Sequence, residues 1–153
     1  MTANTLVQEL LKIMTPSSEF GSDREWELTL LFVSECRDQN LAEIIYSATD
    51  SSTEPWKVGS LIDHLVWNIP DVALSQMMST LELWLTSDER RRVSYALAVE
   101  YVFPFSNPEE MSNVMRDIGT KWPEFGARCD ELIDRRLRTL LNKGEMDGTW
   151  SRN

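Results

Sequence analysis

Asp63 and His64 are neighbouring side chains whose chemistry suggests proton transfer. A carboxylate beside an imidazole is half of a general acid–base site. Successive residues on a helix, however, project about 100° apart, so these two side chains do not face each other. The sequence therefore predicts no catalytic dyad here, and it places His64 at the surface or at its boundary.

Two acidic pairs, Asp88-Glu89 and Glu109-Glu110, lie where helices are predicted to begin. Carboxylates in a first turn are stabilised by the helix macrodipole, which explains both pairs without a catalytic role. The sequence contains no glycine-rich phosphate loop, no Gly-x-Ser-x-Gly, no His-Glu-x-x-His and no Cys-x-x-Cys. These absences predict a protein that is not an enzyme.

Cys36 and Cys129 are the only cysteines, and His64 is the only histidine. A structural zinc site takes four ligands, mostly Cys and His, and this set is too small to complete one. Each cysteine lies in an apolar helical stretch, where a free thiol packs as a small hydrophobic group. We therefore predict buried thiols, no metal and no cofactor.

Trp56 directly follows the polar segment 49–55 and has Asp50, Glu54 and Lys57 close by in the sequence. An amphipathic aromatic residue beside carboxylates, where a loop meets a helix, is typical of a hot spot for a basic protein partner. Trp56 equally suits a hydrophobic staple that fixes the entry of the chain into the helix, and both interpretations stay open. The predicted partner-binding residues are Asp50, Glu54, Trp56, Asp63 and His64.

The 153 residues include 25 acids and 15 bases, which gives a formal net charge of -10. This balance disfavours binding to nucleic-acid phosphates and to anionic membranes. It favours a basic protein partner, and it is also explained by solubility alone. No window approaches the ~18 apolar residues of a membrane span, and the N-terminus lacks the features of a signal peptide. A cytoplasmic protein is predicted.

Apolar residues recur at three- and four-residue spacings along the chain, which predicts an all-α protein of about eight helices. The predicted helices cover residues 5–14, 23–33, 41–48, 55–66, 70–85, 88–102, 108–119 and 123–141. No strand is predicted, because no sustained alternation of apolar and polar residues occurs. With 42% apolar residues the chain is predicted to form one helical domain, 1–143, followed by a flexible tail, 144–153.

The fifth and sixth predicted helices are joined by a very short turn, in which Ser87 is the predicted N-cap, so they are expected to lie antiparallel. A weak repeat relates two sets of positions, offset by about 34 to 38 residues. The sets are Leu61, Pro70, Met77-Met78, Trp84 and Tyr95, Pro104, Val114-Met115, Trp122. This offset lies within the range of helical-hairpin solenoids. A HEAT-like α-solenoid and an irregular helical bundle both remain open.

Trp122 precedes an Arg- and Leu-rich final helix that ends Leu140-Leu141-Asn142. In this pattern the chain resembles the helical, solenoid-like immunity proteins of bacterial polymorphic toxin systems. Like them it is small, acidic, rich in tryptophan and all-helical. The resemblance is closest over this final stretch. It implies a non-catalytic protein that neutralises a cognate, basic toxin domain by direct binding, and it assigns no functional residues.

The alternative is a helical scaffold or chaperone-like adaptor that binds a partner helix or peptide in an apolar groove. An exposed stripe formed by Met77, Met78, Met111 and Met115 would favour this alternative. Partner binding that is insensitive to salt would distinguish it from a charge-driven immunity interaction.

Overall fold

The structure, a computed structural model, describes residues 1–19 and 21–143. Its helices are α1 (Ala3–Ile13), α2 (Asp23–Glu35), α3 (Leu41–Ser47), α4 (Pro55–Val66), α5 (Asp71–Leu85), α6 (Arg90–Leu97), α7 (Pro108–Lys121) and α8 (Gly126–Lys143). A short 3-10 helix, Pro123–Phe125, precedes α8. These two ranges contain no strand, so the all-α prediction is confirmed. The predicted tail, 144–153, lies outside the described residues.

Several helices begin where a polar side chain caps them. Side-chain oxygens accept hydrogen bonds from first-turn N–H groups at Thr2, Ser22, Asn40 and Asn107. Such bonds satisfy donors that have no partner inside the helix. Pro55 and Pro108 occupy the first positions of α4 and α7, where proline is tolerated because its missing N–H is not needed.

Helix α4 occupies the centre of the fold. Every residue from Val58 to Val66 is buried, and α4 packs against α1, α2 and α6. Along the chain α1, α3 and α5 pack in succession, as do α2, α4 and α6, while α7 packs on α8. Contacts between alternate helices are a feature of stacked helical hairpins. The solenoid interpretation stays a prediction, because the additional packing of α1 on α4 also suits an irregular bundle.

The core contains most of the residues that periodicity placed on apolar faces. Cys36 and Cys129 are free thiols within it, each 1% exposed, so the predicted burial of both is confirmed. The four methionines that would have lined an adaptor groove are core residues: Met77, Met78, Met111 and Met115. An exposed methionine stripe is therefore absent from the described surface.

Helix α6 ends at Leu97, earlier than the predicted end at Val102. The N–H groups of Glu100 and Tyr101 donate to the Asp63 carboxylate at 3.0 Å and do not continue the helical ladder. At these two N–H groups, tertiary hydrogen bonds to α4 thus take the place of helical ones. The break brings the segment after α6 against α4.

Helix α2 packs on α1 and α4 and leaves Leu30 and Leu31 53% and 40% exposed. Two smaller predictions, both on helix ends, are wrong. Helix α7 continues past Gly119, which keeps a helical conformation where α8 approaches it closely. Ser87 does not cap α6; its hydroxyl accepts the N–H of Glu89, which is itself the N-cap residue.

Candidate binding cleft on helix α4

One side of α4 and its C-cap carries a mixed polar and aromatic stripe with the spacing i, i+4, i+7, i+11: Trp56, Ser60, Asp63 and Trp67. A step of eleven residues along a helix rotates the side chain by three full turns and about 20°. Trp56 and Trp67 therefore lie nearly in line along the helix, about 16 Å apart. The stripe forms the floor of an open cleft. These four residues, with Ser17 and Tyr101 from the two walls, define the α4 cleft.

Two cavities open along the α4 cleft and share Ser17 and Tyr101 as lining residues. The Trp56 cavity has a volume of about 400 Å³ and contains Trp56. The Trp67 cavity has a volume of about 370 Å³ and contains Trp26 and Trp67. The Tyr101 hydroxyl donates to the backbone carbonyl of Ser17, so the boundary between the cavities is hydrogen-bonded. Ligand sites typically span roughly 300–1,000 Å³, which includes both cavities.

The Asp63 carboxylate is fully buried and joins three segments of the chain. It accepts the Ser17 hydroxyl at 2.6 Å and the N–H groups of Glu100 and Tyr101 at 3.0 Å. Burial raises the pKa of Asp63 to about 6, and the hydrogen bonds oppose this effect without cancelling it. One buried carboxylate thus holds both walls of the α4 cleft on the helix.

A second buried pair, Glu25 and His64, lies beside the Trp67 cavity. His64 Nε2 is 3.2 Å from Glu25 Oε2, which also accepts the Thr15 hydroxyl at 3.2 Å. His64 Nδ1 is 2.7 Å from the Ser60 carbonyl oxygen, which can only accept, so Nδ1 carries a proton. The two side chains thus form a buried polar contact between α2 and α4.

Gly21 and Trp26 cover this buried pair. A Cβ on Gly21 would lie closer than 3.0 Å to both Glu25 Oε2 and His64 Nε2, an approach that only glycine permits. The Trp26 ring lies 5.0 Å from the His64 ring, measured between centroids. Within the described part of the chain, Glu25 Oε1 is buried without a hydrogen-bond partner.

The structure separates the five predicted partner-binding residues into two groups. Asp50, Glu54 and Trp56 are exposed, and their binding role stays a prediction. Asp63 and His64 are only 0% and 6% exposed, so the surface position predicted for His64 is wrong, and Asp63 is not part of the acidic surface. Both are buried because α4 packs between α1, α2 and α6. Their different hydrogen-bond partners confirm that they form no dyad.

Trp56 is held at one end of the cleft by its neighbours. Its Nε1 donates to Glu54 Oε2 at 2.7 Å, and Lys57 Nζ lies 5.8 Å from the ring centroid. In the preceding loop, Asp50 Oδ1 accepts the Ser52 N–H at 2.8 Å and the Ser52 hydroxyl, and these bonds lower the pKa of Asp50. The Trp56 indole, which is 39% exposed, is therefore held in one orientation beside a loop that carries the ionised carboxylate of Asp50.

Sequence reasoning missed Ser17, Ser60, Trp67 and Tyr101. Trp67 is 46% exposed, because it follows the last turn of α4 on the cleft side. Its ring packs edge-on against Tyr101, with centroids 6.5 Å apart. The sequence pattern that could have indicated Ser60 and Trp67 was the mixed polar and aromatic stripe on α4. No local pattern in the sequence indicates that Ser17 and Tyr101 lie beside this stripe, because only tertiary packing places them there.

The Ser17 hydroxyl and the His64 ring do not pair in the cleft. The Ser17 hydroxyl donates to Asp63 and not to His64, whose ring nitrogens are used by Ser60 and Glu25. Across residues 1–19 and 21–143, no group of three or more His, Cys, Asp or Glu is placed to hold a metal ion. No helix in these ranges is long and apolar enough to cross a membrane. The cleft offers aromatic surfaces, hydroxyls and carboxylates, which are groups suited to binding.

Comparison with known proteins found no match for this chain among protein-family models, curated proteins or solved structures. What bears on function is therefore the chemistry of the α4 cleft itself.

Proposed function

We propose that this chain is a cytoplasmic, non-catalytic immunity protein that neutralises a basic bacterial toxin domain by direct binding. The observation that carries the proposal is the pair of half-exposed tryptophans, Trp56 and Trp67, at the two ends of the α4 cleft. Tryptophan is enriched among the residues that dominate binding energy at protein interfaces. Two such anchors on one side of a rigid helix suit a single partner that lies along the cleft.

The charge of the chain supports a basic partner. Among the described residues, nine bases form ion pairs with carboxylates of the same chain: Lys12, Arg24, Lys57, Arg90, Arg92, Lys121, Arg128, Arg135 and Arg138. Their positive charge is offset locally, and the chain keeps a net charge of -10. A negative field attracts a basic partner and speeds its association, and the effect weakens as salt increases.

The adaptor alternative depended on an exposed groove of methionines. Those four side chains are only 1–2% exposed. These four methionines therefore offer a partner helix no surface to contact, and no observation on the described residues favours this alternative over the first.

The test is capture of a partner from a lysate of the cells that encode the chain, followed by elution in a salt gradient and mass spectrometry. The expected result is one basic protein in stoichiometric amount, whose toxicity the chain suppresses when both are expressed together. The double variant Trp56→Ala/Trp67→Ala should lose the capture. Leu83→Ala, which removes an exposed side chain on α5, is the matched control and should keep it. A varied set of proteins retained at high salt would contradict the proposal.

The contribution of charge is tested separately with the exposed acids. Asp50→Asn combined with Glu54→Gln should slow association with the captured partner several-fold and flatten its salt dependence, because rim charges act mainly on the association rate. Asp63 is left unchanged because it is buried. An association rate equal to that of the unmodified chain would refute the electrostatic part of the proposal.

A further inference from the structure

The Trp67 cavity has three aromatic walls and an acidic rim. Trp26, Trp67 and Tyr101 line it, and the exposed carboxylate of Glu19 lines it as well. Trp67 keeps 46% of its surface exposed beside this cavity. Aromatic faces carry negative quadrupole charge and attract cations within about 6 Å of the ring centroid. The aromatic walls and the acidic rim therefore both favour a positively charged ligand.

Two buried carboxylates, Glu25 and Asp63, lie beside or in the cavity. Glu25 Oε2 is 3.2 Å from His64 Nε2. Asp63 has a pKa of about 6, so it is largely ionised at neutral pH. Glu25 Oε1 is a buried acceptor that lacks a partner among the residues described here. The described lining of the cavity includes no lysine and no arginine.

We propose that the Trp67 cavity binds the guanidinium group of an arginine supplied by the protein partner, against Trp67 and Tyr101 and beside Glu19. The inference rests on the proposed function, because the arginine belongs to the basic partner. An arginine suits the site better than a lysine, since a guanidinium is planar, weakly hydrated and stacks on aromatic rings, whereas an ammonium is a strongly hydrated point charge. The volume of about 370 Å³ lies at the lower end of the range for ligand sites, as expected for one side chain.

The experiment titrates acetyl-arginine amide into the whole chain and follows the tryptophan indole N–H signals by nuclear magnetic resonance. The signals of Trp26 and Trp67 should shift saturably, while the signal of Trp84, which is 2% exposed, should not. Acetyl-citrulline amide has the same shape without the charge and should bind roughly two- to thirtyfold more weakly. Acetyl-lysine amide, prepared with a free side-chain amine, should also bind more weakly than the arginine probe.

Three variants locate the site. Trp67→Ala should abolish arginine binding, and Glu19→Gln should weaken it several-fold without changing the Trp84 signal. Leu83→Ala removes an exposed side chain that lines neither cavity, and it should leave the arginine affinity unchanged. Citrulline or lysine probes that bind as tightly as arginine, or an absence of saturable shifts at Trp67, would overturn the inference.

These outcomes are distinguishable from failure of the proposed function. If the chain captures a basic partner through Trp56 and Trp67 but does not bind the arginine probe, only the arginine site is refuted. If the probe binds in the Trp67 cavity but no basic partner is captured, the cation site stands and the immunity function is refuted.

Discussion

Gly59→Ala is the substitution that we expect to disturb the α4 cleft most directly. Gly59 is buried in α4 at the point where the backbone of Ala98 crosses it. A Cβ on Gly59 would lie 2.6 Å from the Ala98 carbonyl carbon and 2.8 Å from its Cβ. Carbon atoms in contact are normally about 3.5–4.0 Å apart. Because the main obstacle is backbone, no side-chain rotation relieves the clash.

The expected loss of stability follows from how far α4 and the segment after α6 must move apart. Helix α4 and the segment after α6 must move apart by about 1 Å, and overpacking of this kind costs about 1–3 kcal/mol. The same movement stretches the bonds from Glu100 and Tyr101 to Asp63, now 3.0 Å, beyond hydrogen-bond length, which costs roughly another 1–3 kcal/mol. The better helix propensity of alanine returns about 1 kcal/mol. We expect a net destabilisation of about 3 kcal/mol.

The assay is urea unfolding followed by circular dichroism, with Gly126→Ala as the matched control. A Cβ on Gly126, at the start of α8, would meet no atom within 4 Å, so this variant should be neutral or more stable by up to about 1 kcal/mol. Gly59→Ala should also weaken binding of acetyl-arginine amide, because it displaces the wall that carries Tyr101. Equal stability of the two variants would refute the close packing of Ala98 on α4.

Three further predictions concern buried polar groups. The pKa of Asp63 is about 6 in the folded chain and about 3.9 when unfolded, so its stabilising contribution is fully present below about pH 4 and is lost as the pH rises through about 6. The difference in unfolding free energy between the unmodified chain and Asp63→Asn should therefore change by about 3 kcal/mol between about pH 4 and about pH 7, and a constant difference would contradict this. The buried guanidinium of Arg136 donates to three backbone carbonyls at 2.7–3.2 Å, so Arg136→Met should cost about 3 kcal/mol or more in urea unfolding. Arg138→Met removes an exposed ion pair on the same helix and should change stability by less than about 0.5 kcal/mol; similar effects of both variants would argue against the anchoring role of Arg136. Cys36 and Cys129 are each 1% exposed, and burial raises the pKa of Cys129 to about 11. Neither thiol should therefore react with Ellman's reagent until urea unfolds the chain. Rapid labelling of the native protein would contradict the burial of the thiols.

Helix positions were largely predictable because helical periodicity and capping are local. Pro55 and Asn107-Pro108 begin α4 and α7 as the sequence indicates, since each residue satisfies or removes a donor in its own first turn. The end of α6 was not predictable in this way. It depends on hydrogen bonds from Glu100 to Asp63, 37 positions earlier in the chain, and no local pattern encodes that contact.

The candidate site, like the helix ends, was predictable only where local sequence determines it. Trp56 was recognisable because the exposed polar loop before it is visible in the sequence, and the spacing of Asp63 and His64 was enough to exclude a dyad. The burial of these two residues was not recognisable, since polar side chains are expected at the surface unless partners satisfy them. Those partners, Ser17 and Glu25, come from other segments.

The sequence by itself determined the all-α class, most helix starts, the burial of both thiols and the negative charge of the chain. Each of these depends on composition or on residues a few positions apart. Only the tertiary structure decided that the stripe on α4 becomes a cleft with Trp67 exposed and Asp63 buried beneath it. The physical reason is that a buried carboxylate is stable only when distant donors reach it, and packing brings those donors from the two walls.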